Sequence, residues 1–197
     1  MKYKKWTSTR FLVALAFAAA AFAASFVLGF LVTQSLGPGT SGVLTIIITT
    51  VLVVVGARIA ETRGVFTLMV TLFTVLAIPT NMFGPPGVPK VLIGLATGMV
   101  YDVGWWVFAR WQRTSRIAIP IAAALSTAVS IALIWRLMTW INHPRAGWMG
   151  TIIMYIAPVY AALGFLGGMF ANWIFERNFA SNPRVRVLRG DDDAGAA

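Results

Sequence analysis

The sequence contains no cysteine and a single histidine, His143. Disulfides and thiolate ligands are therefore excluded, and one imidazole leaves no donor set for zinc, so no metal centre is expected. Acidic residues are scarce, with 6 Asp and Glu against 16 Lys and Arg. No G-x-x-x-x-G-K-[ST] loop occurs, so the chain is not expected to bind and hydrolyse ATP itself. Nothing in the sequence calls for a cofactor. Charge of either sign is thin: 11% of residues, where soluble domains carry roughly a quarter. An ordinary soluble core is excluded on that ground.

What is present is apolar, with 58% hydrophobic residues and a mean hydropathy of +0.79. A helix that crosses a bilayer needs about 20 largely apolar residues, fewer where the flanks snorkel or neighbours cover it. Six such runs can be read: Phe11–Thr33, Val43–Ala57, Val65–Pro79, Val91–Ala109, Ile117–Ile141 and Met149–Phe175. They do not alternate in polarity, as the strands of a membrane β-barrel would. The expectation is an all-α polytopic membrane protein. A six-helix transmembrane bundle would occupy residues 1–178, and a flexible cytoplasmic tail residues 179–197.

The +10 net charge is a statement about topology. Lys2, Lys4, Lys5 and Arg10 precede the first run, and Arg58 and Arg63 separate the second from the third. Arg110, Arg113 and Arg116 separate the fourth from the fifth, and Arg177, Arg184, Arg186 and Arg189 follow the sixth. Thirteen of the 16 basic residues thus fall on one side. Positive loops stay cytoplasmic, so both termini are expected inside, in a cell membrane, with some attraction to anionic lipid and no role for nucleic acid. The basic start KYKKWTSTR and the alanine-rich run after it resemble a signal peptide. The run is longer than a signal core, however, and is expected to be kept as the first helix.

Polar chemistry collects in the loops of the other side and inside the spans. The stretch NMFGPPGVPKVLIGLATGMVYD, residues 81–102, leads from a proline-rich loop into the fourth run. Lys90, Gly94, Gly98 and Asp102 recur every fourth residue, which places them along one slowly drifting helical stripe. The glycines let another helix or a ligand approach closely. Lys90 is expected either to snorkel or to meet a substrate oxygen. Asp102 lies roughly 18 Å further along the helix and is expected in a structural ion pair with Arg58, Arg110 or Arg113. Around the last external loop stand Trp140, Asn142, His143, Arg145, Trp148 and Tyr155. They read either as an interfacial aromatic belt or as a pocket that stacks a flat ring. Arg136, about two turns inside the fifth run, marks a partner or a site. Small residues at steps of four also mark the first run (Ala16, Ala20 and Ala24, with Ala14 and Ala18) and the sixth (Gly164, Gly168 and Asn172). GTSG at 39–42 with His143 faintly mimics an intramembrane serine hydrolase built on Ser41. A serine in a turn with no evident base or oxyanion hole makes this the weakest of the readings.

The basic N-terminus before an alanine-rich helix, then GPGTSG, PTNMFGPPGVPKVLIGLATGMVYD and APVYAALGFLGGMFANWIFER, together resemble the substrate-binding S-components of energy-coupling-factor importers. The resemblance spans most of the chain and rests on pattern and order. It implies a six-helix protein that performs no chemistry but captures a vitamin or related nutrient from outside. It implies as partners a membrane coupling subunit and two ATPases, docked largely through small residues of the first helix (here Ala14, Ala16, Ala18, Ala20 and Ala24). Asn81, Lys90, Arg136, Trp140, Asn142, His143 and Tyr155 are the candidate substrate contacts. With cations and no acid on that side, a neutral or anionic nutrient is favoured. A self-contained secondary transporter is the main alternative.

Overall fold

The computed structural model describes residues 5–36, 40–80, 86–111, 115–142 and 146–189. The described residues are helical throughout their regular elements: α1 (Ser8–Leu36), α2 (Thr40–Ala60), α3 (Val65–Leu76), α4 (Pro89–Trp111), α5 (Ser115–Trp140), α6 (Ala146–Asn178) and α7 (Pro183–Arg189). Five of them, α1, α2, α4, α5 and α6, are long and apolar enough to cross a bilayer. The chain is a polytopic helical membrane protein.

The third apolar run behaves differently from the others. Its helix has 12 residues, about 18 Å of rise against a hydrocarbon layer of about 30 Å. The apolar residues that extended this run to Pro79 form turns instead, with Ile78 N–H donating to Val75 and Thr80 N–H to Ala77. Nor is the C-terminal tail featureless: Pro183–Arg189 forms α7, whose Val185 is buried and whose Leu188 carbonyl accepts from Arg10 Nε and Nη2 at 3.2 and 2.6 Å. Residues 190–197 lie outside the described set.

Neighbour relations close the six longer helices into a ring, in the order α1, α2, α6, α5, α4, α3 and back to α1, with α2 also touching α3 and α5. Small residues set the closest approaches, as the spacing predicts for helices that have no hydrophobic effect to draw them together in lipid. A Cβ on Gly164 would fall 2.8 Å from the Ala123 carbonyl oxygen, and one on Gly168 2.8 Å from the Pro120 Cα, so α6 rides directly on α5. Gly167 faces α2 at Thr50, and Gly56 of α2 faces Phe17 of α1. On α1 the small residues divide between two faces. Ala14, Ala18, Ala21 and Ser25 are buried against the bundle, whereas Ala16 and Ala20 are exposed and Ala24 is half-buried.

The larger of two buried apolar clusters fills the ring at one end, and a smaller one (Ile93, Ile134 and Met138) lies toward the other. Toward the end that carries the arginines, Phe66 stacks on Tyr101 with centroids 4.0 Å apart and meets Trp105 edge-on at 4.9 Å. Val53, Val54, Met69, Ile119 and Phe175 pack around them with almost no exposed surface. Polar ties fasten the same end. Arg58 Nη2 meets Glu176 at 2.7 Å, Arg58 Nη1 donates to Asn172 Oδ1 at 3.0 Å, and the guanidinium lies 4.0 Å from the Phe175 ring centroid. Arg189 reaches Glu61 at 3.4 Å, and Trp6 Nε1 donates to the Arg63 carbonyl.

Candidate functional site

The stripe read from the sequence on α4 faces α3 along its whole length. A Cβ on Gly98 would sit 2.5 Å from Thr67 Cα and one on Gly94 2.0 Å from Thr74 Oγ1. The two glycines are therefore helix-packing positions. Asp102, one turn beyond Gly98, meets the first turn of α3. Its carboxylate accepts from Phe66 N–H at 3.4 Å, Thr67 N–H at 2.8 Å and Thr67 Oγ1 at 2.5 Å. At the other end Lys90 is 1% exposed, and its Nζ donates to the carbonyls of Ala77 at 3.0 Å and Thr80 at 2.5 Å.

These contacts revise two expectations. Asp102 is held by a helix N-terminus, not by an arginine, and Lys90 neither snorkels nor faces a ligand. The physical reason is the shortness of α3. A helix that ends inside lipid leaves orphan N–H groups at its start and orphan C=O groups near its end, and no water satisfies them there. A carboxylate at the positive N-terminal end and an ammonium at the negative C-terminal end complement the helix dipole. The 12-residue interval between Lys90 and Asp102, about 18 Å, matches the rise of α3.

Of the aromatic cluster expected around the last external loop, the described members do not line a common cavity. Trp140 is 75% exposed and Tyr155 76% exposed, as interfacial belt residues are. Arg136 and Asn142 are exposed too, and Asn142 (φ 50°) ends α5 in the left-handed conformation that asparagine tolerates. Asn81, His143 and Arg145 lie outside the described residues, as do the side chains of Trp148 and of Ser41, whose backbone belongs to the first turn of α2.

The concave site lies elsewhere, in the half of the ring that the core leaves unfilled. A cavity of about 310 Å³ is lined by residues of α2, α3, α4, α5 and α6. That volume is at the lower end for small-molecule sites. Its floor is Val53, Val70 and Tyr101, just above the stacked aromatics, and Gly42 and Tyr160 stand at the far end. From Gly42 to Val53 the site extends roughly 16 Å along α2. The Tyr160 hydroxyl sits 2.9 Å from where a Cβ on Gly42 would be, so α6 closes directly onto the α2 backbone there.

Among the described residues, ten of the 19 that line it carry a hydroxyl and none carries a charge, which shapes the chemistry the site offers. Aliphatic walls (Ile46, Ile93, Ile131 and Ile134) and the ring of Phe73 complete it. Some hydroxyls are already engaged. Ser126 Oγ donates to the Thr97 carbonyl at 3.0 Å, Thr127 Oγ1 to the Ala123 carbonyl at 2.8 Å, and Thr49 pairs with Ser25 of α1 at 2.9 Å. Two others are not: Thr97 Oγ1 and Tyr101 OH are buried without a hydrogen-bond partner among the described residues. A buried unpaired hydroxyl costs about 1–3 kcal/mol, so two of them on one wall of a cavity need an explanation.

None of these residues stood among the candidates read from the sequence. A signal was present. Thr45 and Thr49, like Ser126 and Ser130, repeat at steps of four inside apolar helices, a spacing that points hydroxyls to one face. Charged and aromatic side chains drew the reading away from them. No family model, no curated protein and no solved structure matches the chain.

Proposed function

We propose that this chain is the membrane-embedded substrate-capture subunit of an ATP-driven importer of the energy-coupling-factor type, holding a small nutrient in the hydroxyl-lined cavity. The observation that carries the reading is the cavity itself, a space of about 310 Å³ between five helices, lined by hydroxyl-bearing and aliphatic side chains beside a plug of stacked aromatics. A site enclosed among the helices, beside a closed aromatic plug, suits capture followed by hand-over, and the chain performs no chemistry of its own. In this reading all six longer helices lie within the cell membrane, with α3 completed by its flanking turns. The basic end, with both termini, is cytoplasmic, and the cavity faces outward. Energy comes from two partner ATPases through a coupling subunit in the membrane. The exposed Ala16 and Ala20 of α1 suit that docking, whereas Ala14 and Ala18 are occupied by packing within the chain.

Ion-coupled secondary transport fits less well, because it calls for titratable groups beside the substrate and, among the described residues, the cavity lining has no carboxylate, histidine or amine. The deciding experiment is purification from native membranes with uptake measured in vesicles. Co-purification of a coupling subunit and two ATPases, with uptake that requires ATP and fails for the Ala16→Leu/Ala20→Leu variant, supports the proposal. Uptake by the purified chain alone, driven by an ion gradient, sinks it.

A further inference from the structure

We infer that the cavity grips its ligand through Thr45 of α2, Ser130 of α5 and Tyr160 of α6, and that it takes a compact ring whose edge carries hydrogen-bonding groups. This deepens the capture reading and rests on it. The hydroxyls of the lining differ in what they can offer. Four are bonded within the chain: Thr49 to Ser25, Thr74 to the Thr71 carbonyl, Ser126 to the Thr97 carbonyl and Thr127 to the Ala123 carbonyl. Those of Thr97 and Tyr101 are sealed from contact, so a ligand in the cavity does not meet them. Thr45, Thr50, Ser130 and Tyr160 remain, and none of their hydroxyls bonds to a described residue. Thr50 packs its Cβ and methyl against α6, both 3.1 Å from where a Cβ on Gly167 would stand. Thr45 is 8% exposed, and Ser130 and Tyr160 are half-buried, so these three keep surface for a ligand.

The three belong to one level of the bundle. The Tyr160 hydroxyl lies 2.9 Å from where a Cβ on Gly42 would be, and Thr45 follows Gly42 by about 4.5 Å along α2. On the other side of α6, Gly164 meets Thr127 and Gly168 meets Pro120, so α5 and α6 run in opposite directions. One turn back along α6 from Gly164 and one turn on along α5 from Thr127, Tyr160 and Ser130 therefore reach the same height. Each hydroxyl is a donor and an acceptor, so together they offer a polar edge built from three helices. Ile46, Ile93, Ile131 and Ile134 surround it with apolar surface. A ring that sheds water on entering this lining recovers hydrogen bonds by turning its polar edge to these hydroxyls. A site that meets such an edge discriminates strongly against a molecule of the same shape that lacks it.

The test uses the full chain purified in detergent and a defined mixture in which each ring is paired with an analogue whose polar edge is blocked or removed: uracil with dimethyluracil, nicotinamide with dimethylnicotinamide, pyridoxine with deoxypyridoxine. Native mass spectrometry reads what stays bound, and thermal unfolding is followed with and without the mixture. The expected result is retention of a parent ring over its analogue. Thr45→Val, Ser130→Ala and Tyr160→Phe should each weaken that retention by roughly three- to tenfold, whereas Thr45→Ser, which keeps the hydroxyl, should preserve it. Gly42→Ala, which pushes the Tyr160 hydroxyl aside without deleting it, should weaken retention as Tyr160→Phe does. Without the mixture, Thr45→Val and Tyr160→Phe should unfold at the wild-type temperature, because neither loses a bond within the described chain; a merely structural role for either hydroxyl would lower it. Equal retention of parent and analogue overturns recognition by a polar edge while leaving capture standing. Retention of a parent ring that all four weakening variants preserve overturns the role of Thr45, Ser130 and Tyr160. Retention of no ring overturns this inference, and capture falls separately only if the native-membrane preparation also carries no small molecule and no partner subunits.

Discussion

The two ends of the bundle are built from the same apolar helices and solve opposite problems. At the basic end, Phe66, Tyr101, Trp105 and Phe175 fill the ring, and Arg58, Glu176, Arg189 and Glu61 tie its rim. At the other end, threonines, serines and isoleucines face one another around about 310 Å³ of space. Aromatic rings bury large areas and close a centre, whereas short side chains cannot meet across it. The difference teaches that a membrane bundle is made hollow by side-chain size, not by helix placement. Apart from the short α3, the helices continue from one end to the other, and what they carry inward changes.

The same contrast holds between two faces of α4. One face presents Lys90, Gly94, Gly98 and Asp102 to α3, with every polar group engaged. The neighbouring face carries Thr97 and Tyr101, which line the cavity. The first face fixes α3 in place as a wall, and the second gives the cavity its polarity.

Substitutions that break this contrast are expected to have graded effects. The largest belongs to Gly98, whose Cβ would meet the backbone of Thr67, which cannot rotate away. Gly98→Leu should cost about 3 kcal/mol or more and abolish recovery of monodisperse protein in detergent chromatography. Gly94→Ala should be milder than Gly98→Ala, because the atoms it meets belong to the Thr74 side chain.

Next come the end groups of α3. Asp102→Leu and Lys90→Met each leave buried backbone groups unpaired, and each should lower stability by about 1–3 kcal/mol in thermal unfolding. Lys90→Met is the sharper of the two, since it should lower stability without changing which nutrients are retained. A switch in charge preference would return Lys90 to the substrate site. Smaller still is Glu176→Gln, because that half-exposed carboxylate is one of several partners of Arg58, and its loss should stay within about 1 kcal/mol. Trp140→Ala and Tyr155→Ala should leave retention of small molecules unchanged, since both side chains project away from the bundle.

Much of this architecture was legible before any coordinates. Hydropathy gives the helical membrane class, and the four-residue steps of glycine and alanine give the packing faces, because composition and period are local properties. Arg136, Trp140, Asn142 and Tyr155 were ambiguous for a physical reason: charged and aromatic residues near a span end serve the interface as well as any pocket, and sequence does not tell the two apart. Asp102 was expected to need a partner inside its span and Lys90 to snorkel or meet a substrate; both instead meet backbone groups at the ends of α3, which have no sequence signature at all.

By itself, then, the sequence determined that the chain is an all-helical membrane protein with one strongly basic end, and that α4 carries a stripe of two charges and two glycines. Only the tertiary structure decided what that stripe touches. The rotation of each helix about its axis is set by where backbones can approach, at Gly94 and Gly98 against α3 and at Gly164 and Gly168 against α5. Once those contacts fix the rotations, Lys90 and Asp102 close the ends of α3, Tyr101 stacks in the closed core, and Thr97 comes to line the cavity beside it.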